Sequence, residues 1–117
     1  LEELVGQSAY DLVVLDPPAF AKGRRHREPG IRAYQRININ GFRLLTDEGI
    51  LATSSCSQAI DEEEFLKVIR YSARKAGIRF RVLARGYQPP DHPVLDTMAE
   101  TRYLKFFVLQ RLTDELP

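Results

Sequence analysis

Two short apolar runs, separated by a segment of helical periodicity, restrict the folds open to this chain more than any other feature. Residues 11–16 and residues 50–54 are rich in aliphatic side chains, and residues 31–46 between them repeat apolar side chains at helical spacing. A strand, a helix and a second strand in one sheet require a right-handed crossover and a parallel strand pair. The sequence therefore predicts an α/β fold built on that pair.

The second half of the chain predicts one more helix and two more strands. Asp61 and Glu64 have the spacing of a capping box, and Gly77 has the position of a residue that ends a helix. Residues 80–85 alternate apolar and basic side chains, whereas residues 103–111 are nearly continuous in apolar residues, as a strand inside a sheet is. This order predicts an antiparallel last strand inserted between its neighbours.

The amino-acid composition restricts the cellular compartment and the partners that we expect for this chain. One cysteine in 117 residues excludes an internal disulfide, so we expect a reducing, cytoplasmic setting. No apolar stretch approaches the roughly 20 residues that cross a bilayer, so no membrane partner is expected, and no Cys/His cluster predicts a metal. The net charge is only +1, yet residues 22–43 hold seven basic side chains and one acidic side chain, a local charge of +6. Such a segment suits a polyanionic partner.

Reactive side chains follow both strands of the predicted parallel pair at their carboxyl ends, where open α/β sheets place their sites. Asp16 begins the turn Asp-Pro-Pro-Ala-Phe, and Cys56 lies in Thr-Ser-Ser-Cys-Ser. A thiolate that adds to carbon 6 of a pyrimidine activates carbon 5 toward an electrophilic methyl group. Such a thiol must be exposed and close to positive charge or a helix N-terminus. The two strand ends together predict nucleobase chemistry.

Residues around this pair could hold an extruded base. Asp16 could hydrogen-bond a ring nitrogen or an exocyclic amine, because the prolines Pro17 and Pro18 stiffen the turn and leave carbonyl oxygens free to accept. Phe20 offers a surface on which a base could stack. The basic side chains nearest this turn, expected to face phosphates, are Lys22, Arg24 and Arg25.

Structural roles compete with each of these assignments. A lone cysteine is commonly buried, Asp16 could simply cap a tight turn, and Phe20 could belong to the core. His26 is expected to be one more phosphate-facing group, and His92 to stabilise its loop rather than to shuttle a proton. The chemical interpretation is favoured because the thiol and the Asp-Pro-Pro turn occur together.

Four blocks of this sequence, taken in order, resemble the C-terminal part of a known enzyme family. The blocks are residues 11–22, 53–57, 86–94 and 103–106. The family is the class I S-adenosylmethionine-dependent ribosomal RNA methyltransferases of the large-subunit methyltransferase I type, which form 5-methylcytosine. The resemblance spans essentially the whole chain. It implies the C-terminal half of a Rossmann-like sheet, with strands 4, 5, 7 and 6, the seventh antiparallel, and flanking helices.

The resemblance also implies roles and partners. Cys56 is implied as the nucleophile and Asp16 as the residue between the methyl donor and the target base, with ribosomal RNA as the partner. S-adenosylmethionine is the implied cofactor, beside Asp16 and Pro17. The residues expected on the substrate side are Pro18, Phe20, Lys22, Arg24 and Arg25.

The family's glycine-rich cofactor loop and N-terminal PUA domain have no counterpart in this sequence. We therefore expect residues 1–117 to be a single-domain fragment of a longer methyltransferase, with little or no turnover by itself. Strand one would then be an open edge, through which two copies could associate.

Two other functions remain open from the sequence. A methyltransferase acting on a nucleobase amine would use the Asp-Pro-Pro turn but would have no need of Cys56. A non-catalytic RNA-binding module would use only the basic segment, and its binding would weaken with salt.

Overall fold

The computed structural model describes residues 10–21, 23–87 and 104–113. Within these ranges, neither α-helix is long and apolar enough to cross a membrane. The strands, the 3-10 turn and the two helices follow one another as β1 (Tyr10–Leu15), the 3-10 turn (Arg24–His26), α1 (Arg27–Leu44), β2 (Leu45–Ser55), α2 (Glu62–Ala76), β3 (Phe80–Tyr87) and β4 (Lys105–Arg111).

The four strands form one mixed sheet. β1 and β2 are parallel, with Leu12 opposite Ile50 and Leu15 opposite Thr53. β4 lies between β2 and β3 and is antiparallel to both, so that the order is β1-β2-β4-β3. The prediction of an inserted antiparallel last strand is confirmed. The order is also the one expected for strands 4, 5, 7 and 6 of a class I methyltransferase sheet.

The predicted boundaries of α2 are confirmed by its two caps. The Asp61 carboxylate accepts a hydrogen bond from the Glu64 backbone N–H at 2.8 Å, and the Glu64 carboxylate accepts from the Asp61 N–H at 3.4 Å. This capping box satisfies two N–H groups that a helix start leaves without partners. At the other end, Gly77 has φ 73°, a left-handed conformation that glycine adopts without steric cost.

The predicted start of α1 is wrong by four residues. The sequence predicts a helix over residues 31–46, but the chain enters the 3-10 turn at Arg24 and α1 begins at Arg27. Pro29 is tolerated there because the first turn of a helix has N–H groups without intrahelical partners. A Cβ at Gly30 would lie 2.6 Å from the Ala21 Cβ and 2.8 Å from the Phe20 carbonyl oxygen. The helix starts early because this glycine lets the loop after β1 pack directly on it.

The predicted start of β2 is also wrong. Residues 47–49 were expected to end the helix and to separate it from a strand over residues 50–54, but β2 extends over Leu45–Ser55 and follows α1 directly. Glu48 has φ 66°, and the pairing with β1 shifts register between Tyr10 and Leu12. The irregular backbone therefore lies inside the strand rather than before it.

Both helices cover the same face of the sheet. Phe65 of α2 packs on Phe107 of β4, with ring centroids 6.0 Å apart, and a Cβ at Gly41 of α1 would touch the Leu15 and Leu51 side chains. Phe65, Phe107 and Leu51 are fully buried. The hydrophobic core therefore lies between this face and the helix pair.

The opposite face of β1 is open in the described part of the chain. Tyr10, Leu12 and Val14 alternate along this face and are 40%, 60% and 64% exposed. Among the described residues, only the other face of β1 is covered, by α1. β1 is also an edge of the described sheet, and its association with a second copy stays a prediction.

Candidate active site at the carboxyl ends of β1 and β2

Parallel pairing places the carboxyl ends of β1 and β2 side by side, because Leu15 lies opposite Thr53. The Ser54 hydroxyl donates to an Asp16 carboxylate oxygen at 3.2 Å and lies 3.3 Å from the Leu15 carbonyl oxygen. Asp16 and Cys56 are both exposed. The two predicted reactive side chains therefore lie at one edge of the sheet, and Cys56 is not the buried cysteine of the alternative interpretation.

A buried hydrogen-bond cluster joins the two loops that carry these side chains. The Ser57 hydroxyl oxygen accepts from the Ala21 N–H at 3.1 Å and lies 2.5 Å from the Tyr34 hydroxyl oxygen. The Tyr34 oxygen accepts in turn from the Phe20 N–H at 3.3 Å. Ser57 and Tyr34 are fully buried. One tyrosine of α1 therefore fixes the loop after β1 against the loop after β2.

A second buried pair holds the end of β2 on α1. The Thr53 hydroxyl donates to the Asn38 side-chain oxygen at 2.7 Å, and the Asn38 amide donates to the Tyr34 carbonyl oxygen at 2.8 Å. Buried polar groups are costly unless they are paired, and these two side chains pair with each other. The strand end beneath Cys56 is therefore held by side chains as well as by the sheet.

Lys105 brings a buried amine to the same edge. It lies opposite Ser55 in the antiparallel pairing, its side chain is only 4% exposed, and its Nζ donates to the Ser57 carbonyl oxygen at 2.7 Å. Burial lowers the pKa of Lys105 from 10.5 to about 8, and the nearby Cys56 and Asp61 oppose this shift. At neutral pH most of these amines carry a proton, so a positive charge lies close to the thiol.

The sequence reasoning did not identify Lys105 as a site residue. It required a positive charge or a helix N-terminus near the thiol, and the only signal for Lys105 was a lysine inside an otherwise apolar strand. The contact depends on β4 lying beside β2, which brings residues 48 positions apart together. No short sequence pattern around Lys105 predicts that β4 lies beside β2.

The other residues predicted at the Asp-Pro-Pro turn differ in exposure. Pro17 is half-buried and Pro18 is exposed. Phe20 is half-buried, and its ring packs edge-on against Tyr34 with centroids 4.8 Å apart. The core therefore holds this ring in place, and its stacking on a base stays a prediction.

The predicted phosphate-facing residues lie ahead of α1. Arg24, Arg25 and His26 are exposed and form the 3-10 turn. Lys22 and His92 lie outside the described residues.

The sheet order and the helix pair define the class of protein: the chain has the class I methyltransferase fold. A putative methyltransferase solved in complex with SAH matches with a TM-score of 0.67 and 23% sequence identity, over 89% of this chain and 27% of that chain. A putative SAM-dependent methyltransferase from Streptococcus mutans matches with a TM-score of 0.66 and 21% identity, over 89% and 26% of the two chains.

Sequence comparison gives a closer relationship. The ribosomal RNA large subunit methyltransferase I of Tolumonas auensis is 39% identical over 103 residues, which are 88% of this chain and 26% of that protein. A ribosomal RNA large subunit methyltransferase of Deinococcus radiodurans is 41% identical over 101 residues, or 86% and 24% of the two proteins. No protein-family model matches the chain. The predicted resemblance to the large-subunit methyltransferase I type is confirmed, and the chain spans about a quarter of the length of these relatives.

Proposed function

We propose that this chain carries the target-base side of an S-adenosylmethionine-dependent methyltransferase that modifies carbon 5 of a cytosine in large-subunit ribosomal RNA. The proposal refers to a longer protein that contains the chain, because the matched segment is about a quarter of the relatives' length. The observation that carries it is the exposed Cys56 at the end of β2, with the Asp16 strand end and the buried Lys105 beside it.

Cys56 is proposed as the nucleophile. Its thiolate would add to carbon 6 of the cytosine, and the electron pair of the 5,6 double bond would move to carbon 5. Carbon 5 would then bond to the methyl group while the bond from that group to the donor's sulfur breaks, which leaves the electron pair on the sulfur. Loss of the carbon-5 proton to a base and departure of the thiolate restore the double bond and the free cysteine. The nearby Lys105 ammonium brings a positive charge close to the sulfur that attacks in this first step.

Asp16 is proposed to lie between the methyl donor and the base. When bound, S-adenosylmethionine supplies an electrophilic methyl group on a positively charged sulfur. The exposed Asp16 carboxylate suits that charge, and its hydrogen bond from Ser54 fixes its orientation. Pro17 is proposed to contact the donor, whereas Pro18 and Phe20 are proposed to face the base.

The basic segment is proposed to contact the RNA backbone next to the target base. Arg24 and Arg25 are exposed on the 3-10 turn, which follows the Asp-Pro-Pro loop directly in the chain. Guanidinium groups bind phosphate oxygens in a bidentate manner. Lys22, in the same stretch of sequence, is assigned the same role.

The decisive test changes Cys56 in the full-length protein that contains this chain. Cys56→Ala should abolish 5-methylcytosine, and Cys56→Ser should leave at most a trace, because a hydroxyl is a far weaker nucleophile than a thiolate. The measurement is nucleoside mass spectrometry of RNA incubated with enzyme and donor. Gln58→Ala is the matched control, because Gln58 is an exposed residue two positions along the same loop.

The same experiment separates the competing functions. Undiminished 5-methylcytosine from Cys56→Ala would remove the covalent mechanism. An N-methylated base, made equally well by wild type and Cys56→Ala, would indicate methylation of an exocyclic amine. Binding of RNA without any methyl transfer would leave a non-catalytic module.

A further inference from the structure

A basic groove runs between α1 and α2 on the side of the helices away from the sheet. It encloses about 400 Å³, and four of the side chains that line it are basic. No acidic side chain is among the described residues that line this groove. The basic side chains are Arg32, Arg36 and Arg43 from α1 and Lys75 from α2. We call this feature the α1–α2 groove.

The helical repeat places these residues in rows rather than in a cluster. At about 100° per residue, Arg32, Arg36 and Arg43 fall within about 40° of one another, and they extend over roughly 16 Å of the helix axis. On the facing helix, Lys67 and Lys75 flank Tyr71 at intervals of four residues. The α1 wall of the groove therefore carries a row of positive charge parallel to the helix axis, and the α2 wall contributes Lys75.

The groove continues toward the sheet edge that carries Cys56. An adjoining hollow shares Gln35 and Tyr71 with the groove, and its charged lining residues are Lys67 and the ion pair of Arg27 with Glu64. α1 follows the loop at the end of β1 and leads back to the start of β2, so its N-terminal end is the end nearer the candidate active site. An extended ligand in the groove could therefore reach that site.

Folding alone does not explain this distribution of charge. Like charges four residues apart, such as Arg32 and Arg36, destabilise a helix, and a purely solvated face commonly mixes the two signs. Tyr71 holds one of the cations in place, because the Lys75 Nζ lies 5.6 Å from the centroid of its ring. The charge is thus arranged for an anionic partner longer than a single phosphate.

We propose that the α1–α2 groove binds the phosphate backbone of an RNA segment that leads away from the modified base. The choice of RNA rests on the proposed function, while the groove itself lies apart from Cys56 and Asp16. Arginine forks suit phosphate oxygens, and a row of roughly 16 Å accommodates several consecutive phosphates. The groove would contribute affinity and register, and the strand ends would select the base.

The test removes two charges from the groove and compares the loss with that from a matched pair outside it. Arg32→Gln/Arg36→Gln changes two exposed arginines four residues apart on α1. The control, Arg70→Gln/Arg74→Gln, changes two exposed arginines at the same spacing on α2 that do not line the groove. Binding of a fluorescent single-stranded RNA to the full-length protein is measured by anisotropy between 50 and 200 mM salt, about the range over which phosphate contacts weaken strongly.

The groove variant should bind more weakly at low salt, and the slope of log Kd against log salt should fall by about 2, about one unit for each lost phosphate contact. The control pair should leave the slope within error of wild type. An unchanged slope in the groove variant, or an equal loss in both pairs, would overturn the proposal. Displacement of the RNA by poly-glutamate at equal charge concentration would also overturn it, in favour of an acidic protein partner.

This experiment is independent of methyl transfer. Gln58→Ala should bind the RNA with wild-type affinity, because Gln58 does not line the groove. A failed groove prediction with intact Cys56-dependent methylation would leave the proposed function standing. Circular dichroism of both arginine pairs checks that the helices are unchanged.

Discussion

Lys105 is buried at the start of β4, although lysine is among the residues least often buried without a partner. Its Nζ donates a hydrogen bond to the Ser57 carbonyl oxygen, at the base of the loop that carries Cys56. Lysine in this position serves two purposes, because it satisfies a buried acceptor and it brings positive charge to the thiol. A hydrogen-bond donor with a purely structural role would satisfy the carbonyl oxygen without affecting Cys56. A measurement of the reactivity of Cys56 can therefore separate the two purposes.

We expect Lys105→Met to lower the rate at which Cys56 reacts with iodoacetamide at pH 7 by several-fold. Methionine has a similar length but no charge, so the negative charge that the sulfur carries when it attacks loses a nearby cation. The measurement is peptide-resolved mass spectrometry of the alkylated protein against time, from pH 6 to pH 9.

Lys67→Met is the control for this prediction, because Lys67 is an exposed lysine on α2. Lys105→Arg keeps the charge and should retain part of the reactivity. Equal alkylation rates for wild type and Lys105→Met at every pH would show that the buried amine has no influence on Cys56.

At the scale of elements, the boundaries of helices and strands were predicted correctly where a short sequence pattern determines them. The capping box of α2 lies within the four residues from Asp61 to Glu64, and a single glycine, Gly77, ends the helix. These short patterns are enough to predict where the helix begins and ends. The start of α1 could not be read in this way, because it depends on Gly30 meeting Ala21 and Phe20 across the loop after β1. The only sign of such a close backbone contact in the sequence is a glycine. Because glycine also occurs in many turns and loops, it does not by itself predict the contact.

Gly30→Ala should destabilise the fold by about 1–3 kcal/mol, although alanine is the better helix former by about 1 kcal/mol. The added methyl group would lie 2.8 Å from the Phe20 carbonyl oxygen, which is backbone and cannot rotate away. Urea unfolding followed by circular dichroism gives the free energy of unfolding of each variant.

Gly23→Ala provides the comparison, since nothing lies within 4 Å of a Cβ at that position and its φ of −170° is open to any residue. It should be neutral or slightly stabilising. A Gly30→Ala variant as stable as Gly23→Ala would mean that α1 and the loop after β1 are not in close contact.

For the whole molecule, the sequence was sufficient for the topology and for the positions of Cys56 and Asp16, but not for their surroundings. The two parallel strands with a helix between them leave one handedness, and that handedness brings the two carboxyl ends to the same edge. Tyr34 and Lys105 were missed as parts of the site, because their contacts with Ser57 span 23 and 48 residues. Such contacts follow only from the assembled sheet and its helix layer.

The buried amine also gives the whole fold a dependence on pH. Because the pKa of Lys105 falls from 10.5 to about 8 on folding, the unfolded chain binds more protons than the folded chain between these two pH values. The free energy of unfolding contributed by this group therefore rises from about pH 8 to about pH 10.5, and it is lowest below pH 8.

This dependence should disappear in Lys105→Met. We expect the difference in the free energy of unfolding between wild type and Lys105→Met to shift in favour of wild type as the pH rises from 7 to 10.5. Urea midpoints at half-unit pH steps measure it, and subtraction of the two curves removes the other titrating groups. A difference that stays constant with pH would indicate that Lys105 titrates alike in the folded and unfolded chains.

The contact between Ser57 and Tyr34 limits how the two sides of the site can move. The Asp-Pro-Pro loop and the cysteine loop meet the same pair of hydroxyl groups, which have no access to water in the folded chain. A displacement of either loop must break that shared bond or carry the other loop with it. Movement of the loop after β1 and movement of the loop after β2 are therefore one mechanical event.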